Sequence, residues 1–138
     1  MRRELDLLSV VAPMLDERTV APRFVERVTV ALHGLPWELV IVDDGSQDAT
    51  PRILAELAAA DKRVKVVTLS RNFGHQMAIT AGLDHATGDA VAMIDADLQD
   101  PPELIATMVE HWRAGSDVVY ATRTDREGES RFKLTTAR

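Results

Sequence analysis

The chain has 138 residues, a net charge of -6 and no cysteine, with 46% hydrophobic and 28% charged residues. That is the size and make-up of one ordinary globular domain; it excludes disulfides and thiolate metal sites, and it argues against nucleic acid as a partner. No apolar run approaches the ~20 residues of a membrane-spanning helix, and the opening Met1-Arg2-Arg3-Glu4-Leu5-Asp6 does not lead into a signal-peptide pattern.

Leu5 to Ala12 reads as a first strand, stopped by Pro13, with acids at the tip of the loop that follows. Thr19 is placed to cap a helix whose stripe is Val20, Phe24, Val28 and Leu32, ended by Gly34 and Pro36. Glu38 to Val42 is a second strand that breaks at Asp43-Asp44-Gly45-Ser46. Thr50-Pro51 then reads as an N-cap followed by proline at the first helical position, with Ile53, Leu54, Leu57 and Ala58 inward. Val64 to Leu69 is a third strand, leading into Ser70-Arg71-Asn72-Phe73-Gly74-His75-Gln76. A small-residue helix over about 76–86 contains Gly82, which implies close packing, since glycine there costs about 1 kcal/mol against alanine.

Ala90 to Ile94 has the short apolar character of a fully buried strand. It ends in Asp95, Asp97 and Asp100, and Asp100 is placed to cap a helix opened by Pro101, Pro102 and Glu103. That helix is expected to bury Leu104, Ile105, Met108 and Trp112 and to stop at Gly115; Asp117 to Ala121 is a fifth strand, and residues 122–138 are polar and weakly patterned. His75 is read as packing or capping a helix start, and the other three histidines as surface residues.

Strands alternating with helices imply an α/β fold, an open and mostly parallel sheet with helices on both faces, whose ligands sit beyond the carboxyl ends of the strands. Every conspicuous polar cluster lies at such an end: Asp16 and Glu17, Asp43 and Asp44, Arg71 with Asn72 and His75, then Asp95, Asp97 and Gln99. Asp95 and Asp97 can aim at one centre, and no Lys or Arg occurs between Arg71 and Arg113 to offset their repulsion. Hard oxygen ligands at a strand end suit Mg2+ or Mn2+; the alternative is a solvated acidic loop. Neither G-x-G-x-x-G nor G-x-x-x-x-G-K-[ST] occurs, so a dinucleotide fingerprint and a P-loop are excluded. A response-regulator-like signalling domain would want its acceptor aspartate after strand three and a lysine after strand five; Ser70-Arg71-Asn72 and Ala121-Thr122-Arg123 stand there instead.

V-D-D-G-S at 42–46, S-R-N-F-G-H-Q at 70–76, A-G-L-D-H-A-T-G-D at 81–89 and D-A-D-L-Q-D-P-P-E at 95–103 resemble the family-2 glycosyltransferases, in the branch that charges polyprenyl phosphates and includes dolichyl-phosphate mannose synthase. The resemblance implies a GT-A, nucleotide-diphospho-sugar transferase-like fold. It implies metal-dependent, inverting transfer of a sugar from a UDP- or GDP-sugar donor to a polyprenyl phosphate. It implies a cytoplasmic location at the inner face of the membrane, with peripheral membrane contact. By position, Asp95 and Asp97 match the catalytic pair and, with Gln99, the metal and diphosphate site. Asp43 matches the carboxylate that meets base or ribose, and Pro13 and Glu17 the loop over the nucleotide. Asp44 and Arg71 join the substrate-binding set, and Arg123, Arg131 and Lys133 fall near basic residues that meet phosphates. Residues 1–121 would form the nucleotide-sugar-binding domain, and 122–138 the flexible start of an acceptor-side region. Asp16 stands where the family writes asparagine, which adds a negative charge near the nucleotide. Relatives of this kind continue beyond the point matching Arg138, so a fragment is expected, in which nucleotide binding outlasts turnover; a non-catalytic nucleotide-sugar-binding domain is the alternative.

Overall fold

The computed structural model describes the backbone of residues 2–126 and 129–137 and the side chains of residues 2–121. The elements follow one another as β1 (Leu8–Met14), α1 (Val20–Ala31), β2 (Trp37–Asp43), α2 (Thr50–Ala60), β3 (Val64–Thr68), α3 (His75–His85), β4 (Ala90–Met93), α4 (Glu103–Arg113), β5 (Val118–Arg126) and β6 (Glu129–Ala137). The first four strands form one parallel sheet in the order β3-β2-β1-β4. The chain steps outward from β1 to β3, then returns across the sheet to place β4 on the other side of β1. The order therefore reverses between β1 and β4, and a crevice opens beyond their carboxyl ends, where such sheets bind ligands. A response-regulator sheet instead seats its third strand beside its first; here β3 is an edge.

Period-two alternation sorts the central strands onto two faces. Val10, Ala12, Leu39 and Ile41 join Phe24, Val28, Ile105 and Val109 in the main core under α1 and α4. The opposite face is covered by α3, where Gly82 lies against Val11 and Val42. A Cβ on Gly82 would fall 2.3 Å from the Val11 side chain, so the close packing implied by the sequence is present.

Several sequence expectations are corrected. Pro13 does not stop β1; it pairs with Val42 inside the strand. Its missing N–H faces the β4 side, where pairing has already ended, so no ladder bond is lost. β4 is not fully buried. It is an edge strand, with Val91 44% and Met93 59% exposed, because no described residue covers the α3 face that far out. The fifth strand does not extend the parallel sheet; β5 pairs antiparallel with β6, and β5 runs past residue 121 into the stretch read as weakly patterned.

The helix starts also differ. Thr19 makes no side-chain cap bond. Thr50 lies inside α2, whose start is tied by the Thr50 N–H donating to the Asp48 carboxylate at 2.8 Å. The N-cap of α4 is Pro102 and not Asp100; Leu104 and Ile105 donate to the Pro101 and Pro102 carbonyls. Glu103 holds Arg27 of α1 at 3.1 Å. In α4, Ile105 and Val109 are buried, while Leu104, Met108 and Trp112 are half-buried.

At the amino ends of the strands, Glu38 is buried and takes hydrogen bonds from Ser9 Oγ at 2.6 Å, Thr87 N–H at 2.8 Å and Thr87 Oγ1 at 3.0 Å, and an ion pair from Lys65. Burial pushes its carboxyl up, but these partners outweigh burial and hold it down at about 2. The network ties β1, β2, β3 and the turn before β4 together at the end opposite the crevice.

Candidate functional site

All four parallel strands deliver residues to one open cavity of about 520 Å³ at the β1/β4 crevice. The end of β1 supplies Pro13, Met14, Leu15 and Glu17; the end of β2 supplies Asp44. The loop after β3 and the start of α3 supply Asn72, Gly74 and His75, and the end of β4 supplies Asp95, Ala96 and Asp97.

Two latches hold these loops. Gly45, at φ +78°, lies so close to the backbone of Arg71 and Asn72 that a Cβ would meet both at 2.4 Å. That contact lets the Asp44 carboxylate accept the N–H groups of Phe73 at 2.8 Å and Gly74 at 3.1 Å. The second latch joins the loops after β1 and β2. Asp16 N–H donates to Ser46 Oγ at 2.8 Å, and the Asp16 carboxylate accepts Gln47 N–H at 2.9 Å. Asp16 sits at φ +51°, a conformation that Asn and Asp tolerate better than most side chains. The aspartate here therefore serves the loop's backbone.

The acids converge in part. Asp95 and Asp97 line the cavity with Glu17, whose carboxyl is pushed up by burial first and then by Asp97, Asp48 and Asp16. Asp97 Oδ1 also accepts Gln99 N–H at 3.0 Å, bracketing Leu98, which is held at φ +62°. Gln99 is not among the residues lining the cavity. Asp43 does not join the pair at a common centre. It is fully buried and not among the lining residues, with Oδ1 accepting Ser46 N–H at 3.0 Å and Oδ2 without a hydrogen-bond partner among the described residues. Asp43 and Asp44 are neighbours at a strand end, so their side chains leave on opposite faces. Arg71 does not line the cavity; its guanidinium lies 3.9 Å from the Phe73 ring centre. The side chains of Arg123, Arg131 and Lys133 lie outside the described part.

His75, read from the sequence as a packing or capping residue, lines the cavity with Nε2 3.7 Å from Asp95 Oδ1. Asn72 lines it too. The available signal was their place after strand three, on the edge that carries every other polar cluster. Among the described residues, no group of three or more His, Asp or Glu side chains could hold a metal ion by itself. Two carboxylates do fit Mg2+ or Mn2+ arriving with phosphates, because Mg2+ is commonly held by one or two carboxylates plus substrate phosphate oxygens.

A second cavity, about 490 Å³, runs along the free edge of β4 and is lined by Val91, Met93, Leu104, Met108, Trp112 and Tyr120 among others. No described helix is long and apolar enough to cross a membrane.

The family "Glycosyl transferase family 2" matches residues 9–137. The uncharacterized glycosyltransferase YkcC of Bacillus subtilis (strain 168) is 50% identical over 131 residues, covering 94% of this chain and 41% of the relative. The bactoprenol glucosyl transferase of Shigella phage SfX is 45% identical over 132 residues, covering 94% and 43%. The undecaprenyl-phosphate 4-deoxy-4-formamido-L-arabinose transferase of Pectobacterium carotovorum subsp. carotovorum (strain PC1) is 42% identical over 130 residues, covering 92% and 40%. Among solved structures, the mannosyltransferase PcManGT of Pyrobaculum calidifontis, in complex with GDP-Man and Mn2+, superposes with a TM-score of 0.68 at 23% identity, over 86% of this chain and 38% of that one. S. aureus TarS 1-349 gives 0.57 at 26% identity, over 74% and 33%. The fold is GT-A, and the chain spans about two fifths of the length of the curated relatives it matches.

Proposed function

The chain belongs to glycosyl transferase family 2, and from that premise we propose that its cavity binds a UDP- or GDP-sugar together with Mg2+ or Mn2+, for inverting transfer of the sugar to a polyprenyl phosphate. The observation that carries the reading is the meeting of Asp95, Asp97 and Glu17 in one cavity at the β1/β4 crevice. A diphosphate could not approach three carboxylates without a counter-charge. Asp95 and Asp97 would hold the divalent cation, which supplies stabilisation of the charge that develops on the nucleoside diphosphate leaving group. Pro13, Met14 and Leu15 form the apolar wall beside the nucleotide, and the latch through Asp16 keeps that wall in place. The acceptor phosphate is already anionic at neutral pH, so attack needs no general base, and positioning carries the rate. The similarity to the bactoprenol and undecaprenyl-phosphate enzymes supports a polyprenyl phosphate acceptor. Arg123, Arg131 and Lys133 would meet phosphates at the inner, cytoplasmic face of a membrane, with residues 122–138 as the beginning of the acceptor side.

Calorimetric titration with UDP-glucose and GDP-mannose tests the donor half. Binding is expected with Mn2+ and not in excess EDTA; equal affinity in both would overturn it. Incubation of labelled donor with undecaprenyl phosphate tests transfer. Lipid-linked sugar is expected, and donor binding without product would leave a nucleotide-sugar-binding domain.

A further inference from the structure

We propose that His75 is a hydrogen-bond donor to the diphosphate of the bound nucleotide sugar; this rests on the donor reading of the cavity given above. Among the described residues, the lining of the cavity is short of donors. Glu17, Asp44, Asp95 and Asp97 contribute carboxylates, and among the described residues only Asn72 and His75 contribute side-chain N–H groups. The nearby guanidinium of Arg71 is turned onto Phe73 and does not reach the cavity. A cation on Asp95 and Asp97 can satisfy some of the diphosphate oxygens, and the others still need donors once water is displaced.

His75 stands where such a donor is needed. Its Nε2 lies 3.7 Å from Asp95 Oδ1, too far for a hydrogen bond between them. It is near enough that an oxygen of a group held at Asp95 would fall within reach of the ring. The ring has no other hydrogen bond among the described residues, and 60% of the side chain is exposed. Its backbone is nevertheless fixed. His75 is the first residue of α3, directly after Gly74, whose N–H is held by Asp44. An imidazole donates at least one N–H in either protonation state, so the contact does not depend on the ring being charged.

The test is calorimetry of the whole chain with UDP, GDP and the matching nucleoside monophosphates in Mn2+, alongside melting temperatures. His75→Ala is expected to weaken diphosphate binding roughly tenfold, a typical loss for a hydrogen bond to a charged group. Monophosphate affinity and melting temperature should hold. His75→Gln, which keeps an N–H donor, should recover most of the loss. If the parent chain binds UDP or GDP and His75→Ala binds as tightly, the role assigned to His75 is wrong while the donor reading stands. Equal losses for monophosphate and diphosphate would also overturn it. A parent chain that binds neither nucleotide in Mn2+ would remove the donor reading, and this inference with it.

Discussion

Asp44 and Phe73 are joined across the crevice floor, the Asp44 carboxylate accepting the Phe73 N–H at 2.8 Å while its second oxygen takes Gly74 N–H at 3.1 Å. Asp44 is only 4% exposed. Its function follows from that geometry: it positions the loop that presents Asn72 and His75. Asp44→Ala should cost about 2 kcal/mol or more in urea unfolding, because two part-buried donors lose a charged acceptor. It should weaken UDP binding in the same variant, as the loop moves. Asp44→Asn, which keeps one acceptor oxygen, should fall between. Lost binding at unchanged stability would instead make Asp44 a ligand contact.

Gly82 weighs two opposing effects. Alanine has the better helix propensity, by about 1 kcal/mol. Against that, the new Cβ would lie 2.3 Å from Val11 Cγ1 and 3.1 Å from Val42 Cγ2. Both valines are fully buried in central strands and cannot swing aside. Overpacking of this kind costs typically about 1–3 kcal/mol, and at 2.3 Å the upper part of that range applies. Gly82→Ala is therefore expected to lower the denaturation midpoint, and a rise would show that α3 can lift off the sheet at little cost.

Glu38 gives the fold a dependence on acid. Its carboxyl is held at about 2 in the folded chain, below the ordinary 4.5. A depressed carboxylate contributes stability that is fully present above the unfolded value and is lost as pH falls from about 4.5 towards 2. The full depression is worth on the order of 3 kcal/mol. Half of the Lys65 side chain faces water, so screening brings the contribution to roughly 2 kcal/mol. Unfolding free energies measured from pH 6 down to pH 2.5 should fall more steeply for the parent than for Glu38→Gln. Parallel curves would count against the network.

The strand–helix alternation was readable because each central strand is apolar on both faces and each break carries its own polar cluster. The gathering of those clusters at one edge followed from the parallel topology alone. What the chain order could not convey is lateral order. Ala90 to Met93 is as apolar as a central strand, yet only its neighbours decide that it is an edge. The same holds for β5, whose sequence reads as one more parallel strand until its pairing with β6 is seen. At the site, Asp95, Asp97, Glu17 and Pro13 were found from spacing and resemblance, and they share the cavity. Asp43 was placed at the site by its match to the family's base- or ribose-binding carboxylate, and Arg71 by the polar cluster after strand three. The alternation at the end of β2 turns Asp43 inward, and stacking on Phe73 turns Arg71 away. Helix caps were misread at Thr50 and Asp100 because several Asp, Thr and Pro residues compete within one turn.

Asp97 divides charge from shape. Its Oδ1 accepts Gln99 N–H at 3.0 Å and so supports the turn through Leu98. Asp97→Asn keeps that acceptor and removes the charge. It is expected to abolish Mn2+-dependent UDP binding while leaving the melting temperature of the cation-free chain within about 2 °C. Removing Mn2+ with EDTA should reproduce the same loss in the parent. Retained Mn2+-dependent binding in Asp97→Asn would move the cation away from this loop.

Glu17 should behave in the opposite sense without a cation. Burial and the carboxylates of Asp97, Asp48 and Asp16 push its carboxyl up. A raised carboxylate contributes its stability below the unfolded value, and that contribution is lost as pH rises through the folded value. Ionised Glu17 is thus a small burden on the cation-free fold at neutral pH. Glu17→Gln should relieve it by about a few tenths of a kcal/mol, the scale of partly exposed charges. The gap between variant and parent should open between acid and neutral pH and shrink as salt is added, since the repulsion is screened. With Mn2+ and UDP present the order should reverse, because the parent then has a counter-charge to face and the glutamine variant gains less from the ligand. Melting curves with and without both additives read this directly. A variant less stable than the parent in EDTA at pH 7 would show that Glu17 is held by attraction and that the cavity carries no net repulsion to offset.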